Sequence, residues 1–69
     1  MYTIRINGRL GATVLSAFPT LVPELKGPET VLTGLLTDQS AVFGVLGQIE
    51  VLGLELLEFR RIRARTETA

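Results

Sequence analysis

The chain has 69 residues, with seven basic and seven acidic side chains and neither histidine nor cysteine. Balanced charge argues against a broad nucleic-acid-binding surface, and the lack of thiols excludes a disulfide framework or a cysteine metal site. Without histidine, the sequence also lacks the commonest general base. Because 46% of the residues are apolar, so short a chain is expected to leave apolar surface uncovered.

The first predicted element is a strand over Tyr2–Ile6, where apolar and polar side chains alternate. Asn7 and Gly8 follow and leave two interpretations open. Asn-Gly is the strongest short signal for a β-hairpin, which would make the next residues a second strand. Apolar residues at helical spacing, ended by Pro19, favour instead a short helix over Gly11–Phe18. We adopt the helix.

Two strands follow, over Thr20–Lys26 and Thr30–Thr37. Pro23 cannot donate to a strand ladder, so the first of them is predicted to lie at a sheet edge. The second has apolar side chains on both faces, and Gly34 in its middle indicates a bulge or a close backbone approach. Its faces are assigned as Val31, Thr33 and Leu35 on one side, and Leu32 and Leu36 on the other.

A helix with a capped start follows, with Thr37 or Asp38 as its N-cap. Gly53 is typical of the position just beyond a helix end, where a positive φ is favoured. Gly44 and Gly47 inside the helix cost roughly 0.8–1 kcal/mol each relative to alanine, which indicates either close approach of another helix or tolerated imperfection. The buried stripe predicted from the i, i+3, i+4, i+7 spacing is Val42, Val45, Leu46 and Ile49.

The last predicted strand is Leu54–Arg63, and residues 65–69 form a polar tail that is expected to fray. This order predicts a single α+β domain over residues 1–64, with the ferredoxin-like βαββαβ arrangement. Right-handed crossovers would put both helices on one face of a four-stranded antiparallel sheet, with the first and third strands central.

The third and last strands are expected to carry apolar side chains on both faces. One set would meet the helices, so the other is predicted to meet a second copy of the same sheet, which makes the protein a homodimer. The predicted interface residues are Leu32, Leu36, Leu56 and Ile62.

Three segments carry a resemblance to known proteins: T-V-L-T-G at Thr30–Gly34, D-Q at Asp38 and Gln39, and L-G-L-E-L-L-E-F-R-R-I at Leu52–Ile62. They resemble a group of short, mostly uncharacterised actinobacterial proteins. This resemblance implies a small stand-alone α+β protein and does not imply any enzymatic reaction for this chain. A looser similarity is to ACT-type regulatory domains, which bind amino acids at dimer interfaces. That similarity implies a ligand-contacting loop made of Gly8, Arg9, Leu10 and Gly11.

The sequence predicts no catalytic residues, no cofactor and no metal site. Ser16 and Ser40 have no histidine partner that could activate them. Glu55 and Glu58 differ in strand parity, so they are expected to point to opposite faces, which argues against a paired acid and base.

One cluster of charge comprises Arg60, Arg61, Arg63 and Arg65. A ferredoxin-like sheet is the platform of RNA-recognition motifs, but these need aromatic residues on the exposed central strands. Tyr2 and Phe59 are the aromatic candidates here, and both are expected to face inward. We therefore favour a solvated strand end whose arginines pair with Glu55, Glu58 or a partner subunit.

The favoured function is a non-enzymatic homodimeric interaction or regulatory module, with a further protein partner left open. An ACT-like small-ligand sensor ranks second, and a weak RNA or nucleotide binder through the C-terminal arginines ranks third. No apolar run reaches the length of a membrane span and the N-terminus lacks a signal-peptide core, so the expected location is the cytoplasm.

Overall fold

The computed structural model describes residues 1–62, so the predicted tail over 65–69 and the end of the predicted domain at residue 64 lie outside it. The elements are β1 (Tyr2–Asn7), α1 (Ala12–Leu15), β2 (Val22–Lys26), β3 (Glu29–Gly34), α2 (Gln39–Val51) and β4 (Glu55–Arg61). They form an α+β domain with one four-stranded sheet in the order β2-β3-β1-β4, and every strand pairing is antiparallel. The predicted α+β class with a four-stranded antiparallel sheet is thus confirmed, as are the central positions of β1 and β3 and the edge position of the Pro23 strand.

The core lies on one face of the sheet, which we call the core face. Side chains directly opposite each other on antiparallel strands share a face, and Ile4 lies opposite Leu32 on β3 and Phe59 on β4. One hydrophobic cluster joins this face to residues from both helical segments. Its buried members are Ile4, Ile6, Phe18, Leu21, Leu32 and Ile49.

Asn7 and Gly8 lead into a helix and not into a hairpin. Gly8, with a φ of 105°, donates its N–H to the carbonyl oxygen of Pro28 at 2.8 Å, and β1 pairs with the later strand β3. The helix spans only Ala12–Leu15, which is shorter than predicted. Beyond it the chain closes i→i+3 turns, including one from the N–H of Phe18, because Pro19 stops any longer helix.

Both ends of α2 are capped as the sequence indicates. The Asp38 side chain accepts a hydrogen bond from the N–H of Ala41 at 2.8 Å, which makes Asp38 the N-cap. At the other end Gly53 has a φ of 69°, and the N–H of Leu54 reaches the carbonyl of Ile49 at 3.0 Å. A second 3.0 Å bond, from the N–H of Gly53 to the carbonyl of Glu50, completes a Schellman motif.

The predicted stripe of α2 is confirmed in part: Ile49 is buried in the core and Val45 packs against that core, whereas Val42 and Leu46 are only half-buried.

Gly34 ends β3 where other backbone passes close by. A Cβ placed on Gly34 would lie 2.7 Å from the carbonyl oxygen of Thr20 and 3.3 Å from the Cα of Leu21. Of the two predicted reasons for this glycine, close backbone approach is therefore the one the structure shows. Gly44 and Gly47 differ, since a Cβ on either would meet open space. Within the described chain, no other helix approaches them.

A β-bulge interrupts the pairing of β4 with β1. Arg5 lies opposite Glu58 but the next residue, Ile6, lies opposite Leu56, so Leu57 is an extra residue on β4. An extra residue reverses the relation between side-chain parity and sheet face for everything on the other side of it.

Candidate functional site

The sheet face turned away from the helices, here called the open face, is polar. Its residues are Thr3, Arg5, Asn7, Val22, Glu24, Lys26, Glu29, Val31, Thr33, Glu55, Glu58 and Arg60. All but Val22 and Val31 are polar or charged. The predicted apolar open face, and its stacking on a second copy of the same sheet, are therefore wrong. β3 ends at Gly34, so Leu35 lies beyond the strand, and the bulge changes the facing of β4.

Arg5 lies at the centre of the open face between two carboxylates on neighbouring strands. Its Nη1 is 3.2 Å from Oε1 of Glu29 on β3, and its Nε is 3.4 Å from Oε1 of Glu58 on β4. The hydrogen bond to Glu29 and the negative charges of both carboxylates raise the pKa of Arg5 above its ordinary value. Arg60 extends this network, with its Nε 3.8 Å from Glu58. Arg5 on β1 thus links its strand to both neighbouring strands. Ion-pair partners on different strands cannot be predicted from residue spacing in the sequence.

Glu55 and Glu58 both lie on the open face, contrary to the prediction from their parity. Glu58 lies opposite Arg5 and Glu55 opposite Asn7, because Leu57 is inserted between them. Each carboxylate has its own partner: the Asn7 amide donates to Glu55 at 2.9 Å, and Glu58 pairs with Arg5. Their contacts stabilise strand pairing.

The four predicted interface residues lie in different environments. Leu32 is 1% exposed and packs in the chain's own core, so its assignment to an interface is corrected: it faces the helices together with Ile4. Leu36 packs against the same core. Leu56 and Ile62 are 38% and 36% exposed on the outer strand and just beyond its end. Interface roles for Leu36, Leu56 and Ile62 stay predictions.

The loop predicted to contact a ligand, Gly8–Gly11, is hydrogen-bonded to β3 and to the turn between β2 and β3. The hydroxyl of the fully buried Thr30 donates to the carbonyl of Gly8 at 2.7 Å and accepts from the N–H of Leu10 at 3.1 Å. Arg9 donates from its Nη1 to the carbonyl of Gly27 at 3.1 Å. These contacts give the loop a clear structural role, and its ligand-binding role stays a prediction.

A groove with a volume of about 450 Å³ lies at the opposite end of β1 from this loop. It is bounded by the start of β1, the end of β4 and the first turns of α2. Its lining residues are Met1, Tyr2, Leu36, Thr37, Asp38, Gln39, Val42, Phe43 and Arg61. Its wall is mixed and more polar than apolar, and the Arg61 guanidinium and Asp38 carboxylate bring opposite charges to it. The groove could not be predicted from the sequence, because its walls come from three separate segments.

Ile62 lies beside the groove, because its N–H bonds to the carbonyl of Met1 at 2.6 Å. Leu36 lines the groove itself.

The described part of the arginine cluster does not form one patch. Arg60 lies on the open face beside Glu58, whereas Arg61 lines the groove. Tyr2 and Phe59, the aromatic candidates for stacking bases, contact each other with ring centroids 5.5 Å apart, and Phe59 packs against the core. Arg63 and Arg65 lie outside the described residues.

Within residues 1–62, no three acidic side chains come together in a way that could hold a metal ion. Over the same range, neither helix has the length and hydrophobicity needed to cross a bilayer.

The geometry defines a small α+β domain with a core on one face of its sheet, an internally paired polar face and a groove at one end. The sequence model of a family described as a domain of unknown function, DUF8691, matches residues 1–60. The chain belongs to the DUF8691 family. Neither the comparison with curated proteins nor the comparison with solved structures gave a match.

Proposed function

We propose that this protein is a non-enzymatic interaction or regulatory module of ferredoxin-like arrangement that works as a homodimer. The element order βαββαβ and the sheet order β2-β3-β1-β4 support the arrangement. The proposed location is the cytoplasm, which cell fractionation with a tagged chain would test.

The observation that carries the proposal is that large apolar side chains stay exposed at the groove and on β4. Phe43 on α2 is 61% exposed, and Met1 at the start of β1 is 47% exposed across the same groove. Leu56 and Leu57 on β4 add side chains that are 38% and 37% exposed. Large apolar side chains that stay exposed together, and not singly, are typical of surfaces that bind another protein.

A second copy of the chain is the simplest partner for such a surface, since a two-fold interface covers the same residues on both subunits at once. Sedimentation equilibrium and light scattering, from about 1 µM to about 1 mM, would measure the mass. The expected result is a rise towards twice the monomer mass of 7.5 kDa, with a Kd of about micromolar order. A mass that stays at the monomer value across this range would contradict the proposal.

The groove supports a second candidate function, the sensing of a small ligand. Its volume falls within the range of about 300–1,000 Å³ that is usual for ligand pockets. Its mixed wall, in which the opposite charges of Arg61 and Asp38 lie beside apolar side chains, suits a zwitterion such as an amino acid. A thermal-shift screen with amino acids at about 10 mM would test it, because a ligand that binds the folded state raises the melting temperature. Equal shifts for the native chain and for Arg61→Ala would contradict binding in the groove.

A further inference from the structure

The two edges of the sheet differ in how well they resist pairing with another strand. β2 contains Pro23, which lacks an N–H, and Lys26, and both residue types are usual protections of an exposed edge. β4 contains neither proline nor lysine over its seven residues. Its bulge, which also protects an edge, lies at Leu57. Beyond this bulge, β4 is the edge at which another strand meets fewer obstacles.

Beyond the bulge, successive residues of β4 alternate in direction: one turns its backbone N–H and C=O groups towards β1, and the next turns them away. Ile62 donates its N–H to the carbonyl of Met1, and the register then places Arg60 opposite Thr3 and Glu58 opposite Arg5. In an antiparallel pair, hydrogen-bonded and non-hydrogen-bonded pairs alternate. Ile62, Arg60 and Glu58 therefore turn their backbone groups towards β1. Phe59 and Arg61 turn their N–H and C=O groups outwards.

We propose, on the basis of the self-association proposed above, that the dimer forms by antiparallel pairing of β4 with β4 of a second copy. The two-fold axis passes beside Phe59, and the two sheets become one sheet of eight strands. Phe59 then exchanges two N–H···O bonds with Phe59 of the partner subunit. Leu57 lies opposite Arg61 of the partner subunit, and the reverse pair repeats the contact.

The charges of β4 select this register. With the axis at Phe59, Glu58 lies opposite Arg60 of the partner subunit on the open face, and the symmetry gives a second such pair. An axis at Glu58 or at Arg60 would instead place two like charges directly opposite each other, which is destabilising. A shift by one residue would bring open-face residues opposite core-face residues.

The apolar side chains suit the same register. Leu57 is 37% exposed, and in the dimer it meets the aliphatic stem of Arg61 of the partner subunit. The half-buried ring of Phe59 meets its own symmetry mate on the core-face side. The paired segment, Leu57–Arg61, begins at the extra residue of the bulge, so the paired stretch extends away from the irregular part of the strand.

The sharpest test is Arg61→Pro against Arg61→Ala, with mass measured by sedimentation equilibrium. The N–H of Arg61 points away from β1, so proline removes a donor that only the dimer uses, while alanine keeps it. The expected result is an Arg61→Pro chain with native circular dichroism whose dimerisation is at least tenfold weaker, and an Arg61→Ala chain close to the native one. If Arg61→Pro folds and dimerises as well as the native chain, β4 pairing is wrong while self-association stands. A native chain that is monomeric throughout removes both proposals.

A charge-exchange pair provides a test that does not depend on proline. Arg60→Glu alone and Glu58→Arg alone each place like charges opposite each other in the homodimer, so both are expected to dimerise less than the native chain. A mixture of the two variants restores both opposite-charge pairs and is expected to form the heterodimer. Because Glu58 also pairs with Arg5 within each chain, circular dichroism first establishes that both variants keep the native fold. With both folded, no recovery of the dimer in the mixture would overturn the register.

Spin labels give the geometry directly, since the chain has no cysteine of its own. In the proposed dimer, labels on Arg60→Cys start from Cα atoms about 8 Å apart, given strand spacing of about 4.8 Å and a rise of about 3.4 Å per residue. Labels on Lys26→Cys, at the far edge of each sheet, start from Cα atoms roughly 39 Å apart, given seven strand spacings across the sheet and six residues of rise along it. Comparable distances for the two labels would overturn the edge-to-edge arrangement.

Discussion

Gly34→Ala is expected to destabilise the fold because the added methyl group has no room. Its Cβ would lie 2.7 Å from the carbonyl oxygen of Thr20, far inside the normal contact distance of roughly 3.5 Å between heavy atoms. The Cδ2 of Leu21, at 2.9 Å, could move aside by rotation, but the Cα of Leu21 at 3.3 Å belongs to the backbone. Leu21 is buried in the core, with only 5% of its surface exposed. The steric clash can therefore be relieved only by moving a buried residue.

Overpacking of this kind costs about 1–3 kcal/mol. The total stability of a domain of this size is only about 3–10 kcal/mol, at roughly 0.05–0.15 kcal/mol per residue. Gly34→Ala should therefore lower the melting temperature by at least about 4 °C. The assay is urea and thermal unfolding followed by circular dichroism at one protein concentration.

Gly47→Ala is the matched control, because it adds the same methyl group where nothing lies within 4 Å. It should raise stability by roughly 0.8–1 kcal/mol, the difference in helix propensity. If Gly34→Ala proved as stable as the native chain, the close approach of the Thr20 backbone would be refuted. If Gly47→Ala proved destabilising, another helix would have to pack there in the assembled protein.

Substitutions at five further positions test the caps, the core and the buried Thr30 hydroxyl by the same unfolding measurements. Asp38→Ala should cost about 1 kcal/mol through loss of the N-cap, and Asp38→Asn, which keeps an acceptor, should cost much less. Gly53→Ala should also destabilise, by roughly 1 kcal/mol, because φ at this position is 69°, with Gly53→Asn milder. Ile49→Ala should cost about 2–5 kcal/mol and more than Leu46→Ala, since Ile49 is 4% exposed and Leu46 only half-buried; equal losses would contradict the burial. Thr30→Val should cost about 1–3 kcal/mol by leaving buried backbone groups unpaired, and a neutral result would mean that water replaces its hydroxyl.

Features fixed by local chemistry were predictable from the sequence. The caps at Asp38 and Gly53 depend on a side-chain acceptor and on a positive φ, which are properties of single residue types. Pro23 had to lie at an edge, since a central strand needs its N–H groups. These rules concern one residue and its immediate neighbours, so they hold whatever the tertiary structure.

Features that depend on pairing between distant segments could not be predicted in the same way. Arg5 contacts Glu29 and Glu58, which lie 24 and 53 residues away in the sequence. The groove likewise combines the first two residues of the chain with Phe43 and Arg61. Alternation along each strand placed Arg5 on a polar face, but only the register between strands shows what it meets.

The bulge at Leu57 accounts for the largest error and also for the proposed dimer. Strict alternation along β4 would have put apolar side chains on both faces of the sheet and made stacking of two sheets the natural outcome. One extra residue instead brings Glu55 and Glu58 onto the same face, which leaves that face polar and closed by ion pairs. Leu56, which was predicted to lie at an interface, is instead opposite Ile6 on the core-face side, and Leu57 is the extra residue. Both leucines stay more than a third exposed on the outer strand. We therefore expect the chain to associate through the β4 edge of its sheet, where outward-pointing backbone hydrogen-bond donors and exposed leucines lie together. We do not expect it to associate through the open face.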